Sequence, residues 1–316
     1  MAKHKDWSGF KIHCSRISEI MVKPKEFFKP PPAKDFIAYN KLIAIEQPTA
    51  TQQEKMKAFE LRLANYYEPP RLSETAVKYL IKRYAHERYG SRMAAVGLAK
   101  ATAAKGNALE AEAVEILSRL HKIDYKKPVS CSENDYLLGR CDAYCLTNKK
   151  VVDVKTAWNI NTFMLALYQQ IPLLYWFKMQ GYLELYDCDY GEICYVLLNT
   201  PAHLIEQERD AITKKYMFGE VNKERYEDEL EKLSTMYSYD RIPLKRRVIT
   251  FSIERDRAIL PKIYSKVEMC RQWLNEFEKR AMSNDKIIYL PKYNAIPKED
   301  NSESDPSDMG ESNTEG

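Results

Sequence analysis

The stretch Leu137–Thr156, LLGRCDAYCLTNKKVVDVKT, limits the possible fold more than any other part of the chain. In VVDVK, period-two alternation puts Asp153 and Lys155 on one face and Val152 and Val154 on the other. The polar turn Thr147-Asn148-Lys149 separates this run from a strand-like segment, Tyr136–Cys145, and predicts an antiparallel hairpin with Lys150–Thr156. A turn centred between residues 147 and 149 places Asp142 opposite Asp153 or Lys155, on the same face. Two carboxylates and an ammonium then meet at one end of a sheet. Such a set suits phosphodiester hydrolysis. Carboxylate oxygens hold a hard divalent cation, which activates water and stabilises the phosphorane, while an ammonium orients the water or offsets developing charge. An Asp-x-Lys pair is also what an ordinary solvent-facing strand carries, so the neighbouring segments decide.

Those neighbours are helices and further strands. Thr51–Tyr67 reads as a helix, with Met56, Phe59 and Leu63 at helical spacing. Ser73 caps a second helix through Tyr89, which Gly90 ends. Asn107–His121 has an apolar stripe of Leu109, Ala113, Ile116, Leu117 and Leu120, and Glu110 sits at its edge. Thr162–Tyr186 reads as a long apolar helix with a break near Pro172, and Gln180 stands within it. Glu192–Leu198 and Arg247–Ile253 read as strands; two polar helices (about 203–216 and 222–236) and a last helix (about 258–282) complete the pattern. Residues 26–34, EFFKPPPAK, read as a proline-broken linker. The expected fold is α/β: a mixed sheet of about five strands flanked by helices, behind a basic helical N-terminal segment.

The ordered string of helix-Glu, strand-Asp, strand-Asp-x-Lys and helix-Gln resembles the PD-(D/E)xK nuclease superfamily, and within it the phage-type exonucleases similar to that of phage lambda. Four stretches carry the resemblance: IHCSRISEIMVKPK (12–25), KGNALEAEAVEIL (105–117), LLGRCDAY through VVDVKTA (137–157), and RVITFSIERD (247–256) with its following helix. The resemblance implies a restriction-endonuclease-like core. It implies that Asp142, Asp153, Glu110 and the backbone carbonyl of Val154 hold Mg²⁺, with Mn²⁺ able to substitute. Lys155 would position or activate the attacking water, Gln180 would brace the site, and Ser15 with Arg16 would take a terminal 5′-phosphate. The chain departs from the pattern at Cys141, where Pro is usual, at Asp153, where the lambda type has Glu, and in long inserts at 26–104 and 200–246. The implied activity is exonucleolysis of double-stranded DNA ends, 5′ to 3′, leaving 3′ single strands for phage recombination. A homo-oligomeric ring and a single-strand annealing protein are the implied partners. Rival readings are an endonuclease, a CRISPR- or helicase-associated nuclease of the same superfamily, and a non-catalytic DNA-binding protein with a vestigial metal site.

Charge agrees with a polyanionic partner. The net charge of +4 hides 20 Lys/Arg against 10 Asp/Glu in residues 1–105, and one Lys against seven acids in 297–316. Three parts are expected: a basic DNA-binding segment (1–104), a nuclease core (105–296) and a disordered acidic tail (297–316). Lys23, Lys25, Arg88, Arg92 and Lys105 are candidate backbone contacts beside Ser15 and Arg16. The longest apolar run, near Ile171–Phe177, contains Pro172 and is far shorter than the roughly 20 residues of a membrane span. No secretory leader is evident, and seven scattered Cys read as reduced thiols of a cytosolic protein; the resemblance implies the bacterial cytoplasm and a phage or prophage origin. Cys14, Cys188, Cys194 and Cys270 follow the one-early, three-late order of some cluster-binding nucleases but lack a tight Cys-x-x-Cys pair, so no iron–sulfur cluster is expected.

Overall fold

Strand-forming and helix-forming runs alternate along the chain, and the computed structural model, which describes residues 4–27, 29–67, 69–91, 98–217 and 223–283, follows them. The strands are β1 (Ile12–His13), β2 (Ser132–Glu133), β3 (Leu137–Gly139), β4 (Ala143–Cys145), β5 (Lys150–Thr156), β6 (Tyr190–Val196) and β7 (Val248–Glu254). The α-helices are α1 (Ile17–Met21), α2 (Ala33–Ile43), α3 (Ala50–Tyr67), α4 (Glu74–Tyr89), α5 (Leu98–His121), α6 (Ile160–Tyr168), α7 (Leu173–Leu185), α8 (Ala202–Met217), α9 (Lys223–Met236) and α10 (Ile259–Met282). Arg92 and the segment 297–316 lie outside the described residues. Among the described residues no helix is long and apolar enough to cross a membrane.

The central sheet has the order β4-β5-β6-β7: β5 runs parallel to β6, and the outer pairs are antiparallel. A small sheet, β1-β3-β2, stands beside it. The central sheet has four strands where about five were expected, and the predicted strand Tyr136–Cys145 divides between the two sheets, its end supplying β4. Gly139 at the end of β3 explains the division. A Cβ there would lie 2.8 Å from Cys14 Sγ and 2.9 Å from Tyr182 Cε1, so only glycine lets the chain pass this close to the N-terminal segment before turning into β4. The hairpin register is Ala143↔Val152 and Cys145↔Lys150.

Alternation along β5 divides the core. Val151 faces one cluster with Ile193, Met179, Leu183, Ile263 and Leu274, whereas Val152 and Val154 face another with Leu109, Ala113, Leu117 and Val196. The sheet is thus covered by α7 and α10 on one face and by α5 on the other. Trp7, Phe10, Ile12, Ile17 and Ile20, together with Ala76, Leu80 and Tyr84 of α4, belong to the first cluster. Gly181 permits this closeness: a Cβ on it would meet Ile17 Cδ1 at 2.7 Å and Cys14 Sγ at 2.8 Å. The expected boundary at residue 104 runs through the middle of α5.

Local signals explain most ends. Ser73 Oγ accepts from Ala76 N at 3.2 Å, and Gly90 closes α4 in the left-handed region at φ +66°. Pro172 divides the apolar stretch into α6 and α7, since proline cannot continue a helix from within but is tolerated at its start. The helix α2 was not anticipated, because the triple proline reads as a break; Pro32 instead caps the helix that follows it. The Ala-rich run before Asn107 extends α5 back to Leu98, as its helix propensity allows.

Candidate active site

At the C-terminal end of β5, a cleft of about 410 Å³ is lined by Ala103, Gly106, Asn107 and Glu110 from α5, Asp142, Val154, Lys155 and Thr156 from the hairpin, and Tyr175 and Lys178 from α7. The α5 residues fall at i, i+3, i+4 and i+7, one face of a helix. Asp142 lies just before β4, and its Oδ2 accepts from Val154 N at 2.7 Å. That bond ties the two arms of the hairpin together beyond the last ladder pair. Asp153 is 1% exposed and receives two ammonium groups: Lys155 Nζ donates to Oδ2, and Lys178 Nζ donates to Oδ1 at 2.5 Å. Tyr175 lies 4.9 Å from Lys155 Nζ and Tyr182 lies 5.3 Å from Lys178 Nζ, so each lysine rests on a ring of α7.

The electrostatics separate the two carboxylates. Burial, reinforced by the charge of Asp153, pushes the Asp142 carboxyl up to about 6. Burial also acts against the charge on Asp153, but Lys155 and Lys178 outweigh it and hold that carboxyl below its usual value. For Lys155, Asp153 and Asp142 overcome burial and hold the ammonium above the usual lysine range. Glu110 is engaged by Lys127 Nζ at 2.7 Å. Thr156 Oγ1 is buried without a hydrogen-bond partner among the described residues.

Sequence reasoning placed Glu110, Asp142, Asp153, Val154 and Lys155 near one another, and the structure brings all but Asp153 to the cleft wall, with Asp153 directly beneath its two lysines. Gln180 lies elsewhere. It is wholly buried; its Nε2 donates to Glu254 O at 2.9 Å, and its Oε1 accepts from Asp256 N at 2.8 Å. Glu254 pairs with Tyr190, and Tyr190 with Lys150, so this brace sits at the end of the sheet opposite Lys155. Lys178 takes the cleft side of α7 instead. Its signal in the sequence was the 22 consecutive uncharged residues between Lys155 and itself, which leave it the first charge to follow β5.

A second cavity, of about 340 Å³, is lined by His13, Ser15 and Arg16 from the N-terminal segment and by Tyr79, Arg83 and His86 from α4. The α4 residues are spaced i, i+4 and i+7, a periodicity open to sequence reading but masked by the surrounding charge. Desolvation, with the nearby Arg83 and Arg16, holds His13 below its usual value. Lys23 and Lys25 line another cavity, of about 420 Å³, together with Arg71 and Ser73, and Lys23 Nζ lies 3.9 Å from the Tyr66 ring. Arg88 is turned inward, 3.4 Å from the buried Glu278. Lys105 is 1% exposed, donates to Trp158 O at 2.8 Å and lies under the Trp158 and Tyr239 rings, which removes it from any surface that could meet a phosphate.

A divalent cation fits this donor set. Asp142, Asp153 and the Val154 carbonyl are hard oxygen donors, and Mg²⁺ is commonly held by one or two carboxylates with water and substrate oxygens. Among the described residues, no three His, Cys, Asp or Glu side chains gather in metal-binding geometry; Glu110 is paired with Lys127.

No protein-family model matches the sequence, and no curated protein matches it. Solved structures do. A phage-related exonuclease from Haemophilus somnus 129PT matches with a TM-score of 0.56 at 22% identity, covering 87% of this chain and 97% of that one. An alkaline exonuclease from Laribacter hongkongensis gives 0.49 at 11% identity, covering 87% of this chain and 96% of that one. The complex of the latter enzyme with dAMP gives 0.48 at 12% identity, covering 86% and 91%. The likeness thus extends to three dimensions, and this chain shares its fold with the Haemophilus phage-related exonuclease structure.

Proposed function

We propose that the chain is a metal-dependent exonuclease that degrades double-stranded DNA from its ends in the 5′ to 3′ direction. The observation that carries this reading is the convergence of Asp142, Val154 and Lys155 on one cleft at the end of β5, with Asp153 buried beneath and bonded to Lys155. Asp142, Asp153 and the Val154 carbonyl would hold Mg²⁺, or Mn²⁺ in its place, with Glu110 reaching it through water. When bound, the cation supplies Lewis-acid stabilisation of the phosphate and a more acidic water. Lys155, kept as an ammonium by its carboxylate neighbours, orients that water and offsets charge on the phosphate. The Asp142–Val154 bond keeps the carboxylate aimed along β5 rather than into solvent.

Support for action at ends comes from the second cavity, where the Ser15 hydroxyl and the guanidinium groups of Arg16 and Arg83 face the same space, a lining suited to a terminal 5′-phosphate. The similar Haemophilus structure is that of a phage-related exonuclease, which agrees with this reading. A ring of identical subunits and a single-strand annealing partner complete the proposal, with the 3′ strand as product for recombination.

Digestion of end-labelled linear duplex, with and without a 5′-phosphate and in Mg²⁺ or EDTA, tests the reading. Wild type should release nucleotides only in Mg²⁺ and faster from the phosphorylated end. Asp153→Ala should lose roughly 10³-fold or more in rate, in keeping with removal of a charge-stabilising group. Survival of digestion in that variant sinks the site assignment, and equal cleavage of a closed circle makes the chain an endonuclease.

A further inference from the structure

Asp153 has two oxygens, and each accepts from a different ammonium. The two lysines are not equivalent. Lys155 lies two residues along the same strand, so its distance from Asp153 is set by β5 itself. Lys178 comes from α7, reaches Oδ1 with its Nζ 5.3 Å from the centre of the Tyr182 ring, and forms part of the cleft wall. Each Asp153 oxygen already accepts from an ammonium, so a cation bound through either oxygen meets a positive charge at close range. The long, unbranched stem of lysine lets Lys178 give way without any shift of the backbone.

We propose that Lys178 is a second functional lysine of this site: it neutralises Asp153 in the metal-free protein, yields Oδ1 to the incoming cation, and then presents its ammonium to the substrate phosphate. The second half of this inference rests on the nuclease reading above; the first half stands on the charges alone. Without a cation, Asp142 and Asp153 face Lys155 and Lys178, two charges of each sign. Removing Lys178 leaves an excess negative charge where a divalent cation would bind. The substrate, itself anionic, would lose an attractive partner in the same wall.

Binding of Mn²⁺ to the full-length protein without DNA, followed by electron paramagnetic resonance or calorimetry, reads the first half. Lys178→Met should bind Mn²⁺ roughly tenfold more tightly than wild type, a modest value for one added unit of negative charge at close range. Lys178→Arg should stay within about twofold of wild type, since it keeps the charge. DNA digestion reads the second half: Lys178→Met should lose about 10²-fold in kcat/KM despite its tighter metal, and Lys178→Arg should recover part of that loss. This opposition between metal affinity and turnover is not expected of a residue that only packs. Mn²⁺ affinity in Lys178→Met equal to or weaker than wild type overturns the proposal, as does the absence of Mn²⁺ binding in both. Should Lys178→Met fail to fold by circular dichroism, Lys178→Gln carries the same comparison. A wild-type protein that binds Mn²⁺ but digests no DNA removes the nuclease reading and leaves the competition between Lys178 and the cation to be judged on its own.

Discussion

Lys105 and Glu110 lie five residues apart on α5, roughly 140° around its axis, and that angle sends them to different surroundings. Glu110 reaches the cleft; Lys105 turns to the Trp158 carbonyl and an aromatic cage. Burial lowers the Lys105 ammonium to about 8. Between that value and the usual lysine range of about 10.4, the unfolded chain holds a proton that the folded chain has released, so this residue makes the fold more stable as pH rises through that window. Thermal unfolding of wild type and Lys105→Met at pH 7 and pH 10 should show wild type gaining relative to the variant at the higher pH. A difference independent of pH would mean that Lys105 titrates normally. Lys178 and Gln180 repeat the lesson on α7: two residues apart, they point some 200° from one another, one to the cleft and one to the 254–256 backbone. The sequence displayed both polar groups in an apolar helix. It could not show which way the helix would be turned, because α7 is buried nearly all round and lacks an amphipathic face to orient it.

The element most legible beforehand was β5. Its period-two pattern and the polar turn before it led to the observed span, Lys150–Thr156, and to a register within the expected range. What the pattern concealed was the split between β3 and β4, which depends on contacts of Gly139 with the sequence-distant Cys14 and Tyr182. Close packing of the N-terminal segment against α7 was equally hidden, yet it has a direct test. Gly181→Ala should gain about 1 kcal/mol in intrinsic helix propensity. The added methyl meets Cys14 and Ile17 well inside van der Waals contact, and overpacking of this kind costs about 1–3 kcal/mol. A lowered urea midpoint at unchanged slope is the expected result; a raised midpoint would show that the contact relaxes freely.

Over the whole molecule, the basic front seen in the charge count is not a detachable arm. Trp7, Phe10, Ile12, Cys14, Ile17 and Ile20 are buried in the same cluster as Val151, Met179 and Ile193. Each such side chain contributes about 1.5–3 kcal/mol on burial, and six together approach or exceed a typical net stability of about 5–15 kcal/mol. Deletion of residues 1–22 should therefore abolish the cooperative thermal transition seen by circular dichroism, whereas a truncated chain melting like wild type would reveal an independent core. Charge patterning showed where cations gather along the chain; it could not show that the same residues alternate with the apolar ones that close the core. The hairpin has a consequence of a different kind. β5 is paired with β6 at all seven of its positions, so β5 cannot slip, whereas β4 is tied to it by only three pairs and the Asp142–Val154 bond. One residue inserted in the exposed turn before Lys150 would shift β4 by a step and turn Asp142 to the face of Val152. The placement of Asp142 therefore depends on the length of that turn far more than on its composition.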